Sequence, residues 1–117
     1  MMRRTALAVA QLWMGLGCQG GTLEEAQQAT ARGSAVFQTY CALCHGSEAT
    51  GDGRAARLHT PRPVDLTRST VNDAYRELII RRGGEALGRS SAMPPWDGEL
   101  SEAQIRDVIA YLRSIGP

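Results

Sequence analysis

Apolar residues recur with helical spacing in three stretches of the chain. Gly33, Val36, Phe37 and Tyr40 fall at i, i+3, i+4 and i+7, one face of a helix running from about Leu23 to Leu43. A glycine inside such a face costs about 1 kcal/mol relative to alanine, and close approach of another helix is the compensation the pattern predicts. A second helix opens at Asn72 or Asp73, both good caps. Its face is read as Tyr75, Leu78, Ile79 and Arg82, and Gly83-Gly84 ends it. The last helix opens at Ser101, with Gln104 three residues on in a capping-box pattern. Ile105, Val108, Ile109, Leu112 and Ile115 form its apolar stripe, and Gly116-Pro117 closes it.

The intervals between these helices carry no period. Residues 46–66 are punctuated by Gly51, Gly53, Pro61 and Pro63. A loop of about 20 residues is uncommon in a compact domain unless it is functional, and a bound cofactor would supply the surface it wraps. A second loop carries Met93-Pro94-Pro95-Trp96. Neither strand pairs nor internal repeats are visible in the pattern. The fold class is all-α, with three main helices joined by long loops.

Composition narrows this further. The chain has 117 residues, 5% of them aromatic, with a single Phe. That is one small domain with a thin core, and such domains often need a disulfide, metal or cofactor as a staple. A formal charge of +1 is far from the strongly basic balance of a nucleic-acid binder. All 13 basic residues are Arg.

The N-terminus reads as an export signal over residues 1–17. Arg3 and Arg4 form a short basic region, and Thr5 to Gly17 is mostly apolar but too short to span a membrane. Gly15-Leu16-Gly17-Cys18 resembles a bacterial lipobox, although Gly15 stands where that motif usually has Leu. The resemblance implies lipidation of Cys18 and membrane anchoring; cleavage to a soluble periplasmic protein is the alternative. Residues 18–28 then form a Gly-rich tether and the start of the first helix, and residues 29–117 form the domain. Loss of Arg3 and Arg4 turns the charge of +1 into −1.

Besides Cys18 the chain has only Cys41 and Cys44, in Cys41-Ala42-Leu43-Cys44-His45. This is the C-x-x-C-H attachment pattern for a c-type haem. Side chains at i and i+3 share a helix face. Two thiols so placed can add to the two vinyl groups of one haem, which brings the following His45 under the iron as an axial ligand. A thioredoxin-like dithiol would need a neighbouring βαβ pattern, and none is visible. A zinc site from Cys41, Cys44, His45 and His59 fits no familiar ligand spacing. A plain disulfide is the remaining rival. For the sixth ligand, Met93 is the only methionine beyond the export signal, in a proline-stiffened loop; His59 is its rival.

From about Ala29 to the C-terminus the chain resembles a class I, monohaem, bacterial cytochrome c. The resemblance is carried by Gly33 and Phe37, Cys41 to Gly46, Gly51-Asp52-Gly53, Pro61 to Leu66, Met93-Pro94, and Tyr111-Leu112 in the last helix. It implies one covalent haem c with its iron held by His45 and Met93. It also implies crossing N- and C-terminal helices, with Gly33 and Phe37 meeting the region of Tyr111 and Leu112. A proline carbonyl would accept a hydrogen bond from His45, with Pro61 and Pro63 both candidates. Trp96 is expected to pack on the haem or bond a propionate, or equally to pack in the core, and Arg54, Arg57, Arg81, Arg82 and Arg89 are candidates to face propionates or a partner. The implied function is one-electron transfer between periplasmic or membrane-bound redox proteins, not enzymatic turnover. The alternatives are a peroxidase or ligand sensor with a labile sixth ligand, or a cytochrome subunit of a larger oxidoreductase.

Overall fold

A computed structural model of the chain describes residues 21–117. The export signal, the lipobox and Cys18 lie outside the described residues. Helix α1 spans Leu23–Tyr40 and starts where a capping box dictates. The Thr22 hydroxyl accepts from the Glu25 N–H at 3.2 Å, and the Glu25 carboxylate accepts from the Thr22 N–H at 2.8 Å. The helical run does not continue unbroken to Leu43. It pauses at Cys41 and resumes as a single turn, α2, over Ala42–His45.

Helix α3 spans Asp73–Arg82, capped by the Asn72 side chain, which accepts from the Tyr75 N–H at 2.9 Å. Helix α4 spans Glu102–Ile115, with the Ser101/Gln104 box formed as the spacing predicts. Three short 3₁₀ turns, at Ala56–Leu58, Leu66–Arg68 and Glu85–Leu87, shape the connections. No strand occurs among the described residues.

The frame is the crossing of α1 over α4. A Cβ added at Gly33 would sit 1.8 Å from the Asp107 carbonyl oxygen and 2.9 Å from Tyr111 Cβ. One turn on, the Phe37 ring is buried and lies 5.3 Å from that of Tyr111. The core gathers Val36, Phe37, Ile80, Leu100, Ile105, Val108, Ile109 and Leu112 around this crossing. The largest fully buried side chains are Phe37, Ile105 and Val108, so the core is as thin as the composition implies.

Helix α3 departs from its expected face. Its buried apolar residue is Ile80, while Leu78 and Arg82 are exposed and Tyr75 and Ile79 only partly covered. The inward face runs through the partly covered Arg76 and the buried Ile80, Gly83 and Gly84, at i, i+4, i+7 and i+8. Three of these four are polar or lack a side chain, so hydrophobic spacing points elsewhere.

Asp73 ties α3 to α4. Its carboxylate accepts from Arg113 Nε at 2.9 Å and from Arg76 Nη1 at 2.8 Å. The hydrogen bond from Arg113, and secondarily that from Arg76, hold its pKa below the ordinary carboxylate value. Because the folded-state pKa is depressed, the pair stabilises the fold above the ordinary carboxylate range and loses that effect as the pH falls through it. Asp73→Asn is expected to cost about 0.5 kcal/mol at pH 7, discounted for the exposed setting. The deficit should close as the pH drops below about 4, which urea titrations of both proteins at several pH values would read.

Candidate functional site

Helix α2 is one turn long, so its last carbonyls have no partner within it. The residues that follow supply them. Ala55 N–H donates to the Leu43 carbonyl at 2.9 Å, Gly53 N–H to that of Cys44 at 3.1 Å, and Gly51 N–H to that of His45 at 2.8 Å. This approach leaves no space for side chains. A Cβ at Gly53 would fall 2.3 Å from the Leu43 oxygen, and one at Gly51, where φ is +84°, would fall 2.3 Å from the Pro63 oxygen. Leu66 N–H then donates to Ala49 O at 2.8 Å, folding residues 63–66 back toward the turn. The Gly51-Asp52-Gly53 stretch is therefore a clamp on the segment that carries Cys41, Cys44 and His45.

Both thiols are free. Burial, with a smaller effect of Cys44, pushes the Cys41 thiol up to about 11. A redox dithiol needs a depressed thiolate pKa, so this environment argues against a thioredoxin-like role. No disulfide joins the pair, and no group of three or more His, Cys, Asp or Glu side chains is gathered for a metal among the described residues. The rival zinc set of Cys41, Cys44, His45 and His59 is not assembled.

His45 closes α2 with its ring 6.4 Å from that of Phe37. Burial lowers its pKa, and the nearby backbone of Val64 partly opposes that shift. Nδ1 is buried and has no hydrogen-bond partner. Neither Pro61 nor Pro63 supplies the expected carbonyl partner to Nδ1, and the Pro63 oxygen packs against Gly51.

Met93 is held by the other end of the site. Its carbonyl accepts from Gly84 N–H at 2.9 Å. A Cβ at Gly83, where φ is +75°, would meet that same oxygen and the Pro95 nitrogen, each at 2.8 Å. Trp96 N–H donates to Ile80 O at 2.9 Å and Asp97 N–H to Arg81 O at 3.2 Å, so the loop caps the end of α3. The Arg81 side chain reinforces this by reaching Glu77 on α3, Asp97 in the loop and Glu102 on α4, at 2.9, 3.2 and 2.6 Å. Trp96 packs against the core and meets the Tyr40 ring edge-on at 5.6 Å, which joins the Met93 loop to the residue preceding Cys41.

Residue type points to the cysteines, His45 and Met93 as candidates but not to what holds the loop. Gly83-Gly84, expected as a helix stop, also seats the Met93 backbone. Arg81, expected among residues facing a propionate or partner, is committed to three carboxylates. Arg89 is likewise engaged, donating to Tyr75 Oη at 3.2 Å. His59 caps the turn after Leu58.

The residues present fit a covalent haem. Two free thiols stand three residues apart at one turn, and His45 follows directly at its end. Large apolar side chains remain uncovered on the motif turn at Leu43, just before α3 at Val71 and on α3 at Leu78. An apolar macrocycle is the kind of group that would cover such residues.

The family model for cytochrome c oxidase, cbb3-type, subunit III matches residues 28–112. The cbb3-type oxidase subunit CcoP of Rhodobacter capsulatus is 35% identical over 86% of this chain and 33% of its own length. That of Cereibacter sphaeroides is 29% identical over 74% of this chain and 28% of its own length. The chain thus spans about a third of these oxidase subunits. Cytochrome c6 of Chlorolobion braunii is 34% identical, over 70% of this chain and 85% of its own length. Among solved structures, a chain of the Kuenenia stuttgartiensis reducing HAO-like protein complex superposes with a TM-score of 0.62 at 32% identity, covering 73% of this chain and 41% of that one.

Proposed function

The chain belongs to the cytochrome c family, as an electron-transfer domain carrying covalent haem c, and we propose that His45 and Met93 are its axial ligands and that it carries single electrons between periplasmic or membrane-bound redox proteins. When bound, the haem iron supplies the one-electron couple, and methionine ligation raises its potential. The chain's own part is to attach, orient and hold. Cys41 and Cys44 form the two thioether links. The glycine clamp fixes the turn that ends in His45, and Gly83-Gly84 fixes the backbone of Met93.

The double clamping of these two segments carries the proposal. A site whose ligands sit on backbone pinned from both sides changes little in shape between oxidation states, which suits a carrier. If His45 and Met93 both hold the iron, no position would be left open for a substrate, as a peroxidase or gas sensor would require.

A pyridine haemochrome assay on protein matured with haem-attachment machinery is expected to give one haem c per chain. The oxidised protein should show the weak near-infrared band of methionine bound to Fe(III) and take up cyanide slowly. A high-spin spectrum with rapid cyanide uptake would overturn axial filling.

Membership of an oxidase subunit family favours a second reading, a cytochrome module working within a larger oxidoreductase. Stable co-purification with a partner would select it. Export through residues 1–17 and anchoring at Cys18 rest on the sequence alone. No helix among the described residues is long and apolar enough to cross a membrane. The mass of the mature N-terminus separates a lipidated Cys18 from a plain cleaved end.

A further inference from the structure

Arg32, Arg76, Arg81 and Arg113 lie on α1, α3 and α4, and each is ion-paired. Arg68, Arg82, Arg89 and Arg106 are in no ion pair among the described residues and line no common depression with the three that follow. Arg54, Arg57 and Arg62 form no ion pair among the described residues, are exposed, and together line one depression of about 330 Å³. Asp52 shares that depression without pairing to them. Residues 53–64 contain no acidic residue, and the next carboxylate, Asp65, is turned into its own backbone, where it accepts from Thr67 N–H and Oγ1. This local excess of three positive charges sits on a chain that is net negative beyond the export signal. Leu58 protrudes from the same segment at 77% exposure and Val64 at 64%. The segment is not a loose loop, because Gly53 and Ala55 are bonded directly to the haem-attachment turn.

We propose that Arg54, Arg57 and Arg62, around Leu58, form the docking surface for a carboxylate-rich face of a redox protein partner. The surface rests on the electron-carrier reading above. Guanidinium groups pair in a fork with carboxylates, and a local positive field steers an acidic partner into encounter. Leu58 supplies the apolar contact of a small, transient interface. The hydrogen bonds from Gly53 and Ala55 to Cys44 and Leu43 keep the docked partner in fixed register with the attachment turn.

The test uses reduced holoprotein mixed with ferricyanide, and oxidised holoprotein mixed with a cationic cobalt polypyridyl reductant, over a range of ionic strength. Net charge alone would make the ferricyanide rate rise with salt; the arginine surface makes it fall. The triple variant Arg54→Gln/Arg57→Gln/Arg62→Gln is expected to slow ferricyanide oxidation about tenfold at low salt and to flatten the slope. Arg106→Gln, an equal charge loss per site on α4, should leave the sign of the slope unchanged. Poly-L-glutamate should compete with ferricyanide on the wild type and not on the triple variant. A ferricyanide rate that rises with salt, or a triple variant with wild-type rates, overturns the surface alone. Failure of both reagents to exchange electrons overturns the carrier reading and the surface with it. If poly-L-glutamate does not compete, while flotation with vesicles of equal parts phosphatidylglycerol and phosphatidylcholine depends on the three arginines, the site is a lipid contact and the proposal falls.

Discussion

Gly33→Val is expected to destabilise the fold strongly around an intact covalent haem. Helix propensity alone would favour a side chain at this position, since glycine costs about 1 kcal/mol relative to alanine. Sterics oppose it and win. The added Cβ would stand 1.8 Å from the backbone oxygen of Asp107 and 2.5 Å from its carbonyl carbon, and neither can rotate away. The helices must then separate along the crossing that buries Phe37, Ile105 and Val108, the largest fully buried side chains. Overpacking of this kind costs about 3 kcal/mol or more, which for a domain of this size lowers Tm by about 15 °C. Thermal melts of the holoprotein followed by far-UV circular dichroism would read it, with Gly33→Ala falling between the two. A valine variant melting within a few degrees of wild type would show that the crossing relaxes far more readily than its geometry indicates.

This result also bears on what a sequence can reveal. Gly33, Val36, Phe37 and Tyr40 announce a helix face by spacing, and Ile105, Val108, Ile109 and Leu112 announce its counterpart, because each face is a repeated local choice. The attachment motif is legible for the same reason: Cys41, Cys44 and His45 lie within five consecutive residues. What escaped was contact between segments distant in the chain and carried by backbone or charge. Gly84 receives the Met93 carbonyl through an N–H that every non-proline residue possesses, so nothing in residue type marks it as a partner. Arg81 and Glu102 lie 21 residues apart, and their pairing has no period.

Helix α3 misled for a related reason. Ile79 and Ile80 are adjacent, and spacing with Tyr75 and Leu78 favours the first. The helix instead turns Ile80 inward, beside Arg76, where it joins the core residues of α1 and α4, and Asp73 bonds Arg113 of α4 at the start of the same helix. Burial of one isoleucine rather than its neighbour is settled by contact with distant helices, which local spacing does not record. The break at Cys41 is similar: periodicity runs on to Leu43, but the turn must be offered to residues 51–55, whose N–H groups take its free carbonyls. The prolines mark the loop after the motif, yet neither carbonyl is bonded to His45 Nδ1, which is buried without a partner.

Met93→Ala is expected to convert the carrier into a ligand-binding haem protein without unfolding it. The loop does not depend on the side chain for its course: Gly84 N–H holds the Met93 carbonyl, Trp96 N–H bonds Ile80, and Arg81 bridges Glu77, Asp97 and Glu102. Loss of a part-buried methionine costs about 2 kcal/mol, a deficit this network can absorb. The electronic consequences should be larger. A thioether favours the reduced iron, so its removal lowers the potential, and the vacated position admits water or added cyanide. The near-infrared band should vanish, cyanide uptake should become fast, and hydrogen peroxide should now be turned over. Met93→His would keep both positions filled and the iron low-spin, but with a lower potential than wild type, which separates loss of a ligand from loss of a methionine. His59→Ala provides the opposing test. If the band survives in Met93→Ala, the sixth ligand is not Met93. If His59→Ala instead opens the site to cyanide, the ligand comes from the segment after the motif, and Gly83-Gly84 seats a methionine that serves packing alone.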